Sequence, residues 1–465
     1  MKVFTNYLTG FIALIISLSG MAQSTTAIAE SDKIQPSTQQ KDPVPAINQW
    51  WQLFQDPLLD SLIQVGIANN LEIKSVMNRL EESRTRIKLA ESYRVPSVRF
   101  DPYASTQNLA PNRPLALQVQ DQQVKRFIMN TFQLPIDVSY EVDIWQRYRK
   151  QIQVNQMLSQ ATEAERQAVQ LTVTTEIARN YLLLQTTDTE KRVLEQGLRL
   201  RDSTLQVVKA RYKAGLTTEM DVQRAQTEVA TIQIQLQSIQ RTRSELELSL
   251  AVLTGAEPTQ LSIPEKTLAE LLPVVPAASA NELPLHRPDL IQSAYMTTIA
   301  EEQVRINKAA LRPRLNLVGS AGLTSRKVDM LLSSNSATYM VGGSIVIPIY
   351  EGNRNRNNVV LAQQQVQTAT STYQQRVLTA KKEVETALVN LQILTQQNVS
   401  QQQAVESALR TRSYSRELYV KGLTTFLDVV DSERTALDLQ RQAVNLHGQQ
   451  ALYTVALIKA LGGSW

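Results

Sequence analysis

Residues 212–222, YKAGLTTEMDV, return almost unchanged 207 residues later as residues 419–429, YVKGLTTFLDV. The correspondence continues beyond this motif, because Gly255 and Gly462 stand at the same offset. A duplication on this scale is typical of folds that contain two copies of one structural unit. The sequence therefore predicts two internal structural repeats.

The composition excludes several classes of function. The chain of 465 residues has no cysteine and only two histidines, too few for disulfides, iron–sulfur clusters or a histidine-based zinc site. Its 48 basic and 43 acidic residues are intermixed, which indicates solvated helix faces and not a nucleic-acid surface. No phosphate-binding glycine loop or catalytic motif occurs. We therefore expect no cofactor, no metal, no nucleic-acid partner and no enzymatic activity.

The N-terminal segment has the pattern of a secretory signal peptide. Lys2 precedes an apolar run, FIALIISL at 11–18, and small residues follow up to position 29. Met21 stands where a bacterial lipoprotein would carry its acylated cysteine, so we expect no lipidation there. No later segment approaches the length of a transmembrane helix, and any membrane crossing would need strands.

The rest of the chain divides at the repeats. We expect a signal peptide over 1–29, a first repeat over 30–255, a connection over 256–286, and a second repeat with the C-terminus over 287–465. The first repeat should contain a helix, a β-hairpin, a long helix, a turn and a final helix. The second should contain the same elements.

The long helices are the largest predicted elements. Residues 147–213 contain no proline, and an apolar seam at steps of three and four runs along much of their length. At about 1.5 Å per residue, such a helix extends about 100 Å. A second proline-free pattern covers 355–419. Shorter helical patterns run from Trp50 to about position 93 and over 288–310, and each stops before a proline.

The clearest strand pattern alternates apolar and polar residues from Phe132 to Ile144. The second copy repeats it from Tyr339, and weaker alternation follows Pro96 and Pro313. We count four strands in two hairpins. A soluble sandwich could use them, but transmembrane barrels show the same apolar-out, polar-in pattern over about ten residues. Because four strands cannot close a barrel, insertion would require a dimer or a trimer.

Each long helix ends at a glycine, Gly215 in the first copy and Gly422 in the second, where a left-handed C-cap is expected. The threonine three residues later, Thr218 in the first copy, can cap the next helix. The aspartate three positions further on, Asp221 or Asp428, stands in the reciprocal position of a capping box. These aspartates are therefore either helix caps or functional residues.

Basic residues follow the strands in both copies: Arg147, Arg149 and Lys150 in the first, and Arg354 and Arg356 in the second. Cations are unfavourable near a helix N-terminus. Anionic lipid head groups at the edge of a membrane would account for them. The other interpretation is a solvated helix end whose charges point away.

The segments WWQLFQDPLL at 50–59, YEVDIWQR at 140–147 and PIYEGNR at 348–354, with the two glycine-to-aspartate turns, resemble the TolC-like outer-membrane efflux factors, most closely their OprM or NodT branch. Gln146 departs from the glycine that this family has after the strand. The resemblance implies a mainly α-helical trimer with a twelve-stranded outer-membrane barrel, four strands per chain, and a twelve-helix periplasmic tunnel. Shorter helices would stack end to end, and 256–286 would lie in an equatorial belt.

The resemblance also implies roles for residues in the turns. Both turns would lie at the periplasmic tip of the tunnel. Asp428 and Asp431 would form rings at its aperture, and Asp221 and Tyr419 would belong to the bonds that close it. Thr424 occupies the place of an arginine that helps to lock the aperture of TolC itself.

The implied function is that of the outer-membrane channel of a tripartite efflux system, a passive exit duct for drugs, toxic compounds or metal ions. It would lie in the bacterial outer membrane and extend into the periplasm. Its partners would be two further copies of itself, a periplasmic adaptor, an inner-membrane efflux pump and outer-membrane lipid. One alternative is the exit duct of a type I protein secretion system, and another is a periplasmic coiled-coil scaffold without a pore.

Overall fold

The fold is known from a computed structural model, which describes residues 49–109, 127–259, 261–273, 275 and 287–463. The signal peptide expected over 1–29, with Met21, lies outside these residues. The described part of the chain belongs to one compact unit. None of its helices has a stretch long and apolar enough to span a membrane.

Helices dominate the described ranges. In chain order they are α1 (Pro57–Asn69), α2 (Leu71–Ser92), α3 (Arg147–Lys213), α4 (Glu219–Thr254), α5 (Pro288–Ala309), α6 (Arg354–Val420) and α7 (Phe426–Ala460). A short 3-10 helix, Trp50–Phe54, precedes α1. The two long helices contain 67 residues each, which confirms the lengths predicted from the proline-free patterns.

The prediction of one continuous helix up to position 93 is wrong, because the helix is interrupted at Asn70. The side-chain oxygen of Asn70 accepts hydrogen bonds from the N–H groups of Glu72 at 2.9 Å and Ile73 at 3.1 Å, which starts a new helix, α2. Its side-chain nitrogen donates to the carbonyl oxygen of Leu253 at the end of α4, at 2.8 Å. The break therefore lies where the junction of α1 and α2 meets the end of α4.

The strands are β1 (Ser97–Phe100), β2 (Tyr103–Leu109), β3 (Phe127–Val142), β4 (Arg314–Ser325) and β5 (Ala337–Val346). They form one antiparallel sheet, in which β1 and β2 pair with β3, β3 with β4, and β4 with β5. The two expected hairpins are thus joined into a continuous sheet by the ladder between β3 and β4.

The sheet has four strand positions side by side, which we call lanes, and the first lane is interrupted. β1 and β2 pair with β3 in the same register, but Asp101 and Pro102 between them form no bridge. This gap lies opposite Pro135, in the middle of β3. Because neither proline has an N–H group to donate, the ladder cannot continue through this point. The expected four strands are therefore present as four lanes, the first of them in two pieces.

The pairing register gives the sheet one apolar and one polar face. Cross-strand pairs on the apolar face include Leu134 with Leu323, Ile136 with Ala321, Val138 with Gly319 and Tyr140 with Leu317. Pairs on the polar face include Asp137 with Ser320 and Glu141 with Asn316. Tyr339 and Val341 of the apolar face are each 85% exposed. The sheet therefore presents an apolar surface that no described part of the chain covers.

The two long helices pack differently. Helix α3 lies against α2, α4, α5 and α7, and its small residues Ala161, Ala164 and Ala178 are fully buried. Helix α6 packs mainly against α5 and α7, and most of its surface is exposed. Helices α3 and α4 form one long hairpin and α6 and α7 another, which we call the first and second hairpins.

In the middle of the molecule, the ends of these hairpins contact the shorter helices and the segment between the repeats. The segment 261–273, which is neither helix nor strand, lies over α4, where the guanidinium group of Arg243 donates to the carbonyl oxygen of Ile263 at 2.7 Å. At the end of α7, the carbonyl oxygen of Ala460 accepts a hydrogen bond from Arg287, the residue before α5, at 3.2 Å. Short helices thus begin where α4 and α7 end, in the end-to-end arrangement that was expected.

Candidate functional site

The first turn (residues 214–218) and the second turn (residues 421–425) have the same backbone geometry. Gly215 and Gly422 adopt left-handed conformations, with φ of 73° and 75°. The N–H groups of each glycine and of the following leucine donate to carbonyl groups in the last turn of the long helix, at distances between 2.8 and 3.0 Å. This Schellman motif satisfies carbonyl groups that the helix leaves unpaired, so the predicted C-caps are confirmed.

The aspartates after the turns share one contact. Thr217 donates its hydroxyl to a carboxylate oxygen of Asp221 at 2.6 Å, and Thr424 donates to Asp428 at 2.6 Å. Thr424 is therefore bonded within its own turn. The threonine four residues before each aspartate was not identified from the sequence as its partner.

Only the second turn forms a full capping box. The N–H of Thr425 donates to the Asp428 carboxylate at 3.1 Å, and the N–H of Asp428 donates to the Thr425 hydroxyl at 3.4 Å. Hydrogen bonds from the hydroxyls of Thr424 and Thr425 hold the pKa of Asp428 below its ordinary value. Asp428 is thus a helix cap in the isolated chain, and its carboxylate is exposed to solvent.

The capping box expected at the first turn is wrong. Thr218 occupies the N-cap position of α4 but makes no side-chain capping hydrogen bond. The carboxylate of Asp221 accepts instead from Thr217 and lies 3.6 Å from the guanidinium group of Arg224. The two copies therefore differ in how the helix after the turn begins.

Tyr419 is buried between the two hairpins. Its ring packs against Phe426, with ring centres 5.6 Å apart, and lies 4.8 Å from the guanidinium carbon of Arg211. Arg211 also donates to the carbonyl oxygens of Tyr419 at 3.1 Å and Val420 at 3.3 Å. The hydroxyl of Tyr419 has no hydrogen-bond partner in the described ranges. Asp221 and Tyr419 are therefore not bonded to each other within one chain.

An apolar cluster holds the turns together beneath these polar contacts. It consists of Leu205, Val208, Val222, Ala225, Tyr419, Phe426, Val429 and Val430. These residues come from α3, α4, α6 and α7, so the cluster joins all four helix ends. Asp431 lies on the exposed face of α7, about one helical turn beyond Asp428.

The basic residues after the strands have more than one environment. Arg147 forms an ion pair with Glu141 at 2.9 Å, and Arg354 pairs with Glu351 at 3.0 Å. Arg149 forms no ion pair in the described ranges. Its backbone N–H donates to the carboxylate of Asp143. Carboxylates of the chain itself therefore account for some of these cations, and no sequence pattern predicted these pairs.

The residue before each long helix has a left-handed backbone. Gln146 has φ of 59° and Asn353 has φ of 62°. Glycine adopts this conformation without strain, and asparagine tolerates it better than glutamine does. The conformation explains why a glycine was expected at position 146.

A buried charged cluster that no sequence pattern predicted lies between the hairpins. Arg201 of α3 pairs with Glu228 of α4 at 2.7 Å, and Arg434 of α7 binds the same carboxylate at 2.9 Å. Glu433 of α7 accepts a hydrogen bond from Thr204 of α3 at 2.9 Å. These charged residues occur singly along long helices. No sequence pattern indicates that residues from three different helices will lie in contact.

Comparison with known proteins assigns this fold and these turns to a family. Residues 62–256 and 280–463 match the model of a family described as outer membrane efflux protein. The chain is 28% identical over 420 residues to the pyoverdine export outer membrane protein OpmQ of Pseudomonas aeruginosa, covering 90% of this chain and 88% of that protein.

Two further similarities agree with this match. The chain is 27% identical over 423 residues to the toluene efflux pump outer membrane protein TtgI of Pseudomonas putida, covering 89% of this chain and 87% of that protein. The solved structure of the outer membrane protein VceC from Vibrio cholerae is similar with a TM-score of 0.82 at 26% identity, covering 90% of this chain and 99% of that one. The fold class expected from the resemblance is thereby confirmed.

Proposed function

Since the chain belongs to the outer membrane efflux protein family, we propose that three copies form a passive exit duct for small molecules, which crosses the outer membrane and continues into the periplasm. The sheet would contribute four lanes per chain to a twelve-stranded barrel, and the long hairpins would form the tunnel. The duct catalyses no reaction, and a pump in the inner membrane supplies the energy.

The observation that carries this proposal is the sheet. It has one exposed apolar face and one polar face, and its outer lanes, β1 with β2 on one side and β5 on the other, have one partner each among the described strands. In a membrane, unpaired strand edges are costly because no water satisfies their N–H and carbonyl groups. Neighbouring copies of the same sheet would pair these edges and close the barrel.

Small molecules are the proposed cargo. Two relatives are named for pyoverdine export and for toluene efflux, and both names denote small compounds. This supports efflux over type I protein secretion. A periplasmic scaffold without a pore finds no support in a family of outer membrane efflux proteins.

The two turns are the proposed contact with the periplasmic adaptor. Each turn exposes a leucine at the same position, Leu216 at 66% and Leu423 at 70%, and a second large apolar side chain four residues later, Met220 or Leu427. Exposed apolar side chains that recur in equivalent positions are typical of a protein interaction surface. Six such turns would ring the end of a trimer.

The same end of the trimer would contain the aperture. Three copies each of Asp428 and Asp431 would place a ring of carboxylates around it, which attracts cations. Asp221 and Tyr419 would contribute to its closure. At the opposite end of the tunnel, Arg149 and Arg356 would lie near outer-membrane lipid head groups.

We also propose the division of the chain expected from its repeats. The signal peptide would cover 1–29, the first repeat 30–255, the equatorial connection 256–286, and the second repeat with the C-terminus 287–465. The 207-residue offset between α3 and α6, which begin at Arg147 and Arg354, supports this division.

Detergent extraction and planar bilayers test the proposal. The protein should be recovered from outer-membrane fractions, crosslink to a trimer in detergent and form ion-conducting channels in planar bilayers. Deletion of its gene should sensitise the host to small toxic compounds without abolishing the secretion of proteins. A monomer that forms no channels would contradict the proposal.

A further inference from the structure

Glu228 is the centre of the buried cluster between the hairpins. Its carboxylate accepts from Arg201 of α3 at 2.7 Å and from Arg434 of α7 at 2.9 Å. Arg201 also donates to the backbone carbonyl of Glu228 at 3.1 Å. Two guanidinium groups are thus committed to one carboxylate. This arrangement bonds the first hairpin to the second.

Glu433, the neighbour of Arg434 on α7, has no such partner. Its residue surface is 5% exposed, and its side chain accepts a hydrogen bond from the Thr204 hydroxyl at 2.9 Å. It forms no ion pair with any described residue. A carboxylate that is buried without a paired cation costs free energy, whereas a protonated carboxyl in the same place costs much less.

Three arginines from two helices act on the Glu433 carboxyl: Arg201 of α3 and Arg412 and Arg416 of α6. Glu228 of α4, with Arg434 and Asp438 of α7, acts in turn on Arg201. Arg416 is directed to the hydroxyl of Ser203, at 3.0 Å. Burial raises the pKa of Glu433, and the Thr204 hydroxyl and the nearby arginines offset this only in part.

We propose that Glu433 makes the contact between α7 and α3 depend on its protonation, and thereby controls how readily the second hairpin moves away from the first. A neutral carboxyl keeps the hairpins packed. An ionised carboxylate favours arrangements in which water reaches it. This inference rests on the proposed function, because the movement of the second hairpin would widen the aperture at the turns.

The direction of the pH dependence follows from the burial. In the packed state the carboxyl keeps its proton to a higher pH than in an open, hydrated state. The fraction of molecules in the open state therefore increases as the pH rises. The ratio of open to packed molecules changes by about tenfold for each unit of difference between the two pKa values. The change begins near the ordinary pKa of a glutamate and is complete above the raised pKa of Glu433.

Single-channel recordings in planar bilayers between about pH 5 and about pH 8 test this inference. The unmodified protein should open more often as the pH rises. In Glu433→Gln the neutral amide should abolish this rise and keep the opening frequency at its low-pH level. Glu406→Gln is the matched control, since Glu406 is an exposed glutamate on α6 that pairs with Arg410, and it should keep the rise.

A second variant keeps the test decisive if Glu433→Gln assembles poorly. Thr204→Val removes the hydroxyl that favours the carboxylate in the packed state, so the rise should begin at the same pH and continue to a higher pH than in the unmodified protein. A Glu433→Gln channel with the pH dependence of the unmodified protein overturns the inference and leaves the duct intact. So does a rise in Thr204→Val that ends at the same pH as in the unmodified protein. An unmodified protein that forms no channels overturns the proposed function and this inference with it.

Discussion

The guanidinium group of Arg211, in the last turn of α3, lies 4.8 Å from the ring centre of Tyr419 and donates a hydrogen bond to its carbonyl oxygen at 3.1 Å. Arg211 thus contacts both the backbone and the aromatic side chain of Tyr419, at the end of α6. A cation is also favourable at the C-terminus of a helix. This contact joins the two hairpins immediately before their turns.

Arg211→Ala should loosen the ends of the two hairpins. The loss of the cation–π contact and of the hydrogen bonds to the end of α6 should lower the free energy of unfolding by about 1–2 kcal/mol. In planar bilayers the single-channel conductance should rise. Lys213→Ala, an exposed lysine in the same helical turn, is the control. An equal effect of both substitutions would show that the charge alone matters and not this contact.

The double variant Asp428→Asn with Asp431→Asn tests the proposed carboxylate ring. If three copies of each residue surround the aperture, the amides should reduce cation selectivity and block by multivalent cations. Asp438→Asn, further along the exposed side of α7, should leave both properties unchanged. If a correctly assembled double variant keeps its selectivity, Asp428 acts as a helix cap only.

Gln146→Gly should stabilise the protein. Gln146 has a left-handed backbone, which costs a non-glycine residue about 1–2 kcal/mol. Glycine removes this strain but gains freedom in the unfolded chain, so we expect a net gain of about 0.5–1 kcal/mol. Asn353→Gly should gain less, because asparagine tolerates this conformation. Thermal unfolding in detergent measures both, and a larger gain at position 353 would contradict the explanation.

Asn70→Ala should destabilise the junction of α1, α2 and α4. The substitution leaves two N–H groups of α2 and the Leu253 carbonyl without their partner, at a cost of about 1–3 kcal/mol. Asn69→Ala is the control, because Asn69 is exposed and is the last residue of α1. Comparable unfolding midpoints for the two variants would refute the role of Asn70.

Features that depend on neighbours in the chain were predictable. The long helices follow from the absence of proline over more than sixty positions, and α3 begins and ends at the predicted residues, Arg147 and Lys213. The left-handed glycines follow from the need to end a helix and turn at once. The alternation after Phe132 correctly predicted a sheet with one apolar face. Each of these signals is a local conformational preference that repeats along the chain.

Contacts between distant segments required the tertiary structure. Asn70 lies within a helical sequence pattern, and only the fold brings it to the carbonyl group of Leu253. Arg211, Glu228 and Glu433 are single charged residues on helices with many charged residues, so nothing in the sequence distinguishes them. The sequence by itself determined the helices, the strands, the turns and their duplication, because backbone preferences and periodicity act within a few residues. Only the tertiary structure decided which charges are buried together, because the cost of a buried charge depends on what the other helices bring to it.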